Sequence, residues 1–256
     1  MDVQVLIATM NQPKGDYSLL KKMNIQTKAI VGNQADRNEF ENVYFRGHEV
    51  KWLTLDEHGV GLNRNNTLMR ATGDIVLFAD DDMVYDDDYS KVIIDAFSML
   101  KNADVMVFNL REVTHDSKRR VITKIERIGR LNYLNYGTAR IAVKLTSVMQ
   151  NGIYFNQCFG GGTAHCHGED NLFLTACLDK GLKIYAYPMC VASLMEERVS
   201  SWNTGYNEKY LRDQGILYRT ISKRLWRLFC LQDAVRKRKS YSVGVKKAYD
   251  IMCGKS

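Results

Sequence analysis

The sequence contains very little proline, with only Pro13 and Pro188 among its 256 residues. A proline-rich linker is therefore excluded. No apolar run approaches the roughly 18 residues that a membrane-spanning helix needs. The first residues show no basic segment followed by a long apolar core, so we expect no secretory signal peptide.

The six cysteines are scattered along the chain. Without an export signal, this pattern predicts reduced thiols in a cytoplasmic protein. The cluster His165-Cys166-His167, with Cys158 nearby, contains metal-binding residue types, but its spacing matches no ordinary zinc motif. We therefore expect one of the two histidines to line a functional site rather than to close a zinc cage.

Charge is distributed unevenly, although the formal net charge is only +7. Eight aspartates lie between residues 74 and 95, whereas ten Lys or Arg residues and one acid lie between residues 219 and 247. Near the C-terminus, apolar residues recur at helical spacing opposite Arg219, Lys223 and Arg227; they are Leu217, Ile221, Leu225, Leu228 and Phe229. This basic amphipathic helix either packs on the domain with a solvated charged face or lies on an anionic membrane surface.

The first 110 residues alternate between strand-like and helix-like patterns. The predicted strands are residues 3–9, 27–31, 50–55, 75–79 and 104–110, and the predicted helices are 16–22, 62–72 and 88–100. This alternation is typical of an α/β domain with a mainly parallel sheet. Further along, we expect strands at 120–126, 138–143 and 183–187, and a helix at 169–180.

Three consecutive aspartates, Asp80, Asp81 and Asp82, follow the apolar run at residues 75–79. Such a run reads as a strand buried on both faces, and ligands of open α/β sheets bind where such strands end. Adjacent carboxylates repel one another, and a divalent cation would compensate them because hard cations take carboxylate oxygens. The competing interpretation is an acidic loop that is simply hydrated.

A glycine-rich segment, residues 160–162, precedes Glu169 and Asp170. Consecutive glycines let the backbone pass close to a ligand, or simply make a turn. Glu169 and Asp170 open a predicted helix, where the helix dipole favours carboxylates for structural reasons alone. A functional and a structural interpretation of these two acids are therefore both open at this point.

Four of these features, in this order, resemble the family 2 glycosyltransferases of the GT-A fold. They are the first strand running into a polar turn, residues 61–66 with 71–74, the Asp80–Asp82 cluster, and residues 168–170. The resemblance covers most of residues 1–215, and residues 201–215 further resemble bacterial enzymes that build capsular or other surface polysaccharides. It implies a Rossmann-like, mixed, mostly parallel sheet flanked by helices, with a C-terminal helical extension. We expect a catalytic domain at 1–215, divided into a nucleotide-binding half (1–110) and an acceptor-binding half (111–215), and a basic helical tail at 216–256.

The resemblance also implies an activity. An inverting, metal-dependent glycosyltransferase would move a hexosyl or N-acetylhexosaminyl group from a nucleotide-sugar, expected to be a UDP-sugar, to a hydroxyl of a saccharide or lipid-linked saccharide. Asp170 would be the catalytic base, and Asp80 and Asp82 would hold Mn²⁺ or Mg²⁺. The expected donor-binding residues are Thr9, Asn11, Asn33, Arg64, Asp80 and Asp81, and the expected acceptor-binding residues are Glu169, Trp202 and Gly161. For Trp202, sugar stacking and core packing are equally open.

One departure from the family pattern concerns the nucleotide base. Many members carry two adjacent aspartates after the second strand, whereas residues 32–36 here read Gly-Asn-Gln-Ala-Asp, which leaves Asn33 or Asp36 for that role. The alternative to an enzyme is a metal-binding protein with a nucleic-acid-binding or membrane-binding tail. Residues 80–88 lack the central glycine and terminal glutamate of an EF-hand loop, and no nucleic-acid-binding signature is present, so we expect no nucleic-acid partner.

Overall fold

A computed structural model describes residues 1–111, 121–195 and 205–255 of the chain. Within these ranges ten strands form one sheet, with α-helices on its faces. The strands are β1 (Val3–Met10), β2 (Lys28–Gln34), β3 (Glu39–Phe45), β4 (His48–Leu55), β5 (Ile75–Asp80), β6 (Met83–Tyr85), β7 (Val105–Arg111), β8 (Glu126–Ile128), β9 (Ile141–Lys144) and β10 (Ile184–Leu194). The helices are α1 (Ser18–Lys22), α2 (Val60–Leu68), α3 (Tyr89–Met99), α4 (Leu145–Gln150), α5 (Glu169–Asp179), α6 (Glu208–Ile221), α7 (Trp226–Arg236) and α8 (Val245–Met252).

Most of the predicted parallel strands lie side by side in one half of the sheet. The order is β3-β4-β2-β1-β5-β9-β7-β10-β6, and β8 pairs with β10. Strands β4, β2, β1 and β5 are mutually parallel, as are β7 and β10, whereas β9 runs antiparallel between β5 and β7. The carboxyl ends of β1, β2 and β5 therefore share one edge of the sheet, where ligands of such sheets bind.

The central strands are apolar on both faces because each face is covered. On β5, alternate side chains enter different cores: Leu77 and Ala79 pack in one, and Val76 and Phe78 pack in the other. The ring of Phe78 contacts Phe155 and Phe173 at centroid distances of 5.0 and 5.4 Å. Phe173 lies on α5, so this aromatic cluster fixes α5 against the strand that carries the aspartates.

Several elements differ from those predicted. The edge strand β3 and the short strand β6 were not predicted, and residues 138–140 form a 3₁₀ turn, so that only Ile141–Lys144 continues as a strand. Strand β3 alternates between half-buried and exposed residues and carries charge, because among the described strands it pairs with β4 alone. The predicted strand at 120–126 lies partly outside the described residues, and β8 begins only at Glu126.

The C-terminal helices α6, α7 and α8 form a core of their own, which includes Leu211, Trp226 and Ala248. The boundary predicted at residue 215 falls within α6, where a side chain at Gly215 would lie 1.8 Å from the carbonyl oxygen of Met252. The continuous helix predicted from residue 217 is wrong, because α6 ends at Ile221 and α7 begins at Trp226. None of the helices in the described ranges is long and apolar enough to cross a membrane.

Candidate active site

The three aspartates lie where β5 ends, and each is partly exposed. The Thr9 hydroxyl at the end of β1 donates a hydrogen bond to the Asp81 carboxylate (2.6 Å), and the Gln12 side-chain amide donates to the same hydroxyl (2.8 Å). Thr9 and Asp81, which were both predicted to bind the donor, are therefore in contact. The ends of two neighbouring parallel strands form one polar surface at this edge.

Arg64 on α2 connects this edge to a distant part of the chain. Its guanidinium donates to Asp80 (2.6 Å) and to Glu169 (2.8 Å), while its own side chain is only 5% exposed. Burial by itself would lower the pKa of Arg64, but the charges of Asp80 and Glu169 outweigh burial and raise the pKa. This arginine therefore stays charged, and it holds the acidic end of β5 against the first residue of α5.

Asp170 follows Glu169 in the first turn of α5, after Gly168 in a left-handed conformation (φ 108°). Its carboxylate accepts hydrogen bonds from the backbone N–H (2.7 Å) and the side-chain amide (2.8 Å) of Asn171. Burial, reinforced by the charge of Glu169, raises the pKa of Asp170 to about 7. A carboxyl group with a pKa near neutrality can both take up and release a proton at working pH, as a general base must.

The glycine-rich segment is attached to α2. The backbone N–H of Val60 donates to the carbonyl of Gly161 (3.0 Å), and Gly160 adopts a positive φ of 102° against Val60 and Glu169. Gly61 lies directly under the same loop, where an added Cβ would be 2.4 Å from the carbonyl oxygen of Asn156. The segment therefore forms one wall beside Glu169, while the role of Gly161 in acceptor binding stays a prediction.

We expect Gly61→Ala to destabilise the protein by about 1–3 kcal/mol, because the new methyl group overlaps a backbone oxygen that cannot rotate away. Urea unfolding of both proteins measures the difference. Gly129→Ala is the matched control, since nothing lies within 4 Å of a Cβ at that position. Equal stability of the Gly61 variant and the wild type would show that the loop moves freely away from α2.

Two other predicted donor-binding residues lie around the turn after β1. Asn33 is fully buried, and its side chain bonds the backbone of Gln12 (2.9 and 3.2 Å) and the Thr54 hydroxyl (3.2 Å). Asn11 is exposed, with a left-handed φ of 56°. Asn33 thus stabilises the turn through hydrogen bonds from the protein interior, and its predicted contact with a nucleotide remains untested. Trp202 lies outside the described residues.

The polar partners of the His165-Cys166-His167 cluster lie on α6 rather than at the aspartate edge. Asp213 contacts the Nδ1 atom of His165 (3.1 Å) and the backbone N–H of Cys166 (3.0 Å), and Gln214 contacts the Nε2 atom of His167 (2.8 Å). Burial raises the pKa of the Cys166 thiol to about 11, so this thiol stays protonated and is not a nucleophile. The cluster fastens the loop before α5 to the C-terminal helices.

A divalent cation at the aspartate edge would need ligands from outside the protein. Among the described residues, no three His, Cys, Asp or Glu side chains are grouped so as to hold a metal ion by themselves. Asp80 and Asp82 nevertheless offer partly exposed carboxylates at this edge. One or two carboxylates plus substrate phosphates are the usual ligands of Mg²⁺ in proteins that act on nucleotides, so these residues fit a metal that arrives with a diphosphate.

Comparison with known proteins decides the family. The model of glycosyl transferase family 2 matches residues 25–159, which is more than half of the chain. This chain belongs to glycosyltransferase family 2. No curated protein matches it. Family membership confirms the predicted resemblance and makes the chain a glycosyltransferase, while the metal, the mechanism and the acceptor stay predictions.

Solved structures of TarS from S. aureus share the fold of this family 2 glycosyltransferase. TarS 1–349 in complex with UDP-GlcNAc has a TM-score of 0.58 at 16% identity, covering 99% of this chain and 71% of that chain. A structure of a longer TarS chain has a TM-score of 0.61 at 16% identity, covering 94% of this chain and 44% of that one. TarS 1–349 with UDP has a TM-score of 0.59, also at 16% identity, covering 94% and 73%. The predicted GT-A fold, with its mixed sheet flanked by helices, is confirmed.

Three features of the candidate active site were not predicted. Gln12 links Thr9 to the turn after β1, Asn171 holds the Asp170 carboxylate, and Arg37 donates to the backbone carbonyl of Gln12 (2.9 Å). Gln12 and Arg37 meet only because parallel strands bring two turns together, so no short motif in the sequence marks them. Asn171 adjoins the Glu-Asp pair, and its position next to a predicted base was the available signal.

Proposed function

We propose that this enzyme transfers a hexosyl or N-acetylhexosaminyl group from a UDP-sugar to a hydroxyl of a saccharide or lipid-linked saccharide, with inversion, in the synthesis of a surface polysaccharide. The observation that carries the proposal is the double ion pair of Arg64, which joins the acidic end of β5 to the Glu169-Asp170 pair. TarS, which shares the fold, binds UDP-GlcNAc, and this supports a UDP-sugar donor. For a lipid-linked acceptor, we place the enzyme at the cytoplasmic face of an anionic membrane, held by its basic C-terminal helices.

The donor would lie across the ends of β1, β2 and β5. In this proposal Asp80 and Asp81 bind the ribose side of the nucleotide, and Thr9 holds Asp81 in place through the 2.6 Å hydrogen bond. Arg64 supplies a fixed positive charge next to the diphosphate, since a buried guanidinium with two carboxylate partners keeps its proton. Asn11 and Asn33 complete the proposed donor side at the turn after β1.

Asp80 and Asp82 would hold Mn²⁺ or Mg²⁺ together with oxygens of the diphosphate. When bound, such an ion supplies positive charge that stabilises the departing nucleoside diphosphate. The residues of the chain provide the rest of the proposed chemistry. They orient the donor at the sheet edge and keep the acceptor on the side of α5.

Asp170 is the proposed base. It takes the proton from the acceptor hydroxyl as the oxygen forms a bond to the anomeric carbon and the bond from that carbon to the diphosphate breaks. Glu169, fixed by Arg64, would orient the acceptor, and Gly161 and Trp202 are proposed to contact the acceptor sugar. A single displacement of this kind inverts the anomeric configuration.

Thermal unfolding in the presence of candidate ligands tests this function against a non-catalytic metal-binding protein. We expect the melting temperature to rise with UDP and Mn²⁺ together, because a ligand that binds only the folded state stabilises it. Stabilisation by Ca²⁺ alone, or by an oligonucleotide, would instead favour the binding protein. A screen of nucleotide-sugars for donor hydrolysis in Mn²⁺ then identifies the sugar.

Removing the metal, or its proposed ligand Asp82, is expected to abolish transfer. Asp82→Ala should lose activity and the joint stabilisation by UDP and Mn²⁺, while its melting temperature without ligand stays near that of the wild type. Asp88→Ala is the matched control, since Asp88 is exposed in the same acidic segment and its side chain does not cap α3. Full transfer in EDTA, or by the Asp82 variant, would contradict a metal-dependent mechanism.

A further inference from the structure

Helix α7 presents an uncovered apolar face to solvent. Leu228, Leu231 and Val235 are spaced three and four residues apart, so they share one side of the helix, and they are 58%, 46% and 43% exposed. Leu225, immediately before the helix, is 51% exposed. The opposite side of α7, which carries Trp226, Cys230 and Ala234, is buried in the C-terminal core. The exposed leucines and valine are therefore not needed to hold α7 in place.

Basic residues surround this apolar face. Six exposed side chains before, within and after α7 carry positive charge: Lys223, Arg224, Arg227, Arg236, Arg238 and Lys239. Asp233, the acid on α7, is buried and is bonded by Lys237 (3.1 Å) and Tyr241. The exposed surface of α7 and its flanks is thus apolar at its centre and basic at its edges, with no exposed acid between residues 219 and 247.

An open pocket adjoins this surface at the corner between α6 and α7. It has a volume of about 480 Å³ and is lined by Arg219, Thr220, Lys223 and Trp226. The guanidinium of Arg219 lies 4.5 Å from the centre of the Trp226 ring, which keeps the cation at the pocket. The two cations, Arg219 and Lys223, are groups that bind a phosphate, and an amphipathic Trp ring suits the level of lipid headgroups. The Thr220 hydroxyl donates its hydrogen bond to the carbonyl oxygen of Ile216 (2.9 Å).

We propose that the exposed face of α7 and the adjoining pocket form a docking surface for a bilayer containing anionic phospholipid. Leu225, Leu228, Leu231 and Val235 enter the boundary between headgroups and acyl chains, the basic rim contacts the anionic surface, and the pocket takes a lipid phosphate. A helix with one apolar face and a basic border is the usual element of such interfacial binding. A nucleic acid would satisfy the charges but would leave four aliphatic side chains in water.

The docking surface rests on the membrane attachment proposed above and names the residues that make it. None of these residues belongs to the candidate active site, so vesicle binding is tested without an activity assay, and its failure would leave the transfer reaction untouched. The full chain is sedimented with vesicles of phosphatidylcholine alone and of equal parts phosphatidylcholine and phosphatidylglycerol. We expect binding to the anionic vesicles only, weakened by salt. The double variants Leu228→Gln/Leu231→Gln and Arg219→Gln/Lys223→Gln should each lower the partition coefficient about tenfold or more while unfolding at the wild-type temperature.

Matched controls distinguish binding through this surface from non-specific adsorption by any exposed apolar or charged residue. Leu131→Gln changes a fully exposed leucine elsewhere, and Lys21→Gln/Lys22→Gln removes two exposed cations on α1; both should bind vesicles as the wild type does. Equal binding to neutral and anionic vesicles, or wild-type binding by the two α7-region variants, would overturn the proposal. A dimer in sedimentation velocity that Leu228→Gln/Leu231→Gln dissolves would instead show that a second copy covers this face, and would also overturn it.

Discussion

The variant Asp170→Asn is expected to transfer sugar about 10²- to 10⁴-fold more slowly than the wild type, the usual contribution of a positioned general base. Asparagine keeps the shape of the side chain but cannot accept the proton of the acceptor hydroxyl. Affinity for UDP and Mn²⁺ should stay near the wild-type value, because Asp170 lies on the α5 side of Arg64 rather than at the donor edge. Transfer rate, donor affinity and melting temperature are measured on the same preparation.

The stability of this variant distinguishes a base from a helix-terminal carboxylate. The folded protein raises the pKa of Asp170 from the ordinary value of 3.8 to about 7. Between these values the folded state binds more protons than the unfolded state, so the contribution of Asp170 to stability falls as the pH rises through this window. Asp170→Asn removes a buried charge, and we expect it to melt at or above the wild-type temperature at pH 8. If Asp170 served only to stabilise the helix N-terminus, its removal would lower the free energy of unfolding by about 0.3–1 kcal/mol, and turnover would stay normal.

The pH dependence of transfer gives an independent check on Asp170. Because the base must be ionised to take a proton, kcat/KM should rise as the pH passes through about 7 and then level off. Asp179→Asn, at the exposed end of the same helix, is the matched control and should follow the wild-type profile. Normal turnover by Asp170→Asn would remove this residue as the base.

The sequence was sufficient to predict the fold class because the strands that define it are mostly apolar. β1, β2 and β5 are buried on both faces, so apolar residues follow one another in each strand instead of alternating with polar ones, although β1 includes Gln4 and β2 ends with Asn33 and Gln34. The start of α5 was likewise predictable, since Gly168 and two acids mark a helix N-terminus. The edge strand β3 was missed because one-sided pairing with β4 lets it carry charged residues.

The arrangement of the candidate site was predictable only in part. A carboxylate cluster after a buried strand indicates a site at the sheet edge. Arg64 and Glu169, however, are separated by 105 positions, so no local sequence pattern predicts that one guanidinium bonds both Asp80 and Glu169. The attachment of the His165–His167 loop to α6 was missed for the same reason. The break in the C-terminal helix at residues 222–225 escaped prediction because apolar residues continue at helical spacing on both sides of it.

Replacing Arg64 with methionine is expected to have a large effect on stability as well as on activity. The substitution fills similar space but leaves the Glu169 carboxylate, only 14% exposed, without its cation, and Asp80 loses the same partner. Breaking one side of a buried ion pair typically costs about 3–5 kcal/mol, and the partial hydration of Asp80 favours the lower end of that range. Urea unfolding at pH 8 measures the loss. Arg70→Met, which removes an exposed arginine whose hydrogen bonds within the described residues go to Asn66, should be close to neutral.

The cause of the stability loss in Arg64→Met can be tested by also removing the Glu169 carboxylate, which has lost its cation. In Arg64→Met, the charge of Arg64 no longer opposes the raised pKa of Asp170, and the ionised carboxylates around the missing cation repel one another. The variant should therefore lose more stability at pH 8 than at pH 5. The double variant Arg64→Met/Glu169→Gln should recover part of the stability at pH 8 but none of the transfer activity, since the cation proposed to lie beside the diphosphate is still absent. The opposite outcome would be a double variant no more stable than Arg64→Met, with the same loss of stability at both pH values. Packing against Phe155 would then be the main contribution of Arg64 to the fold, since the Phe155 ring lies 5.5 Å from the guanidinium.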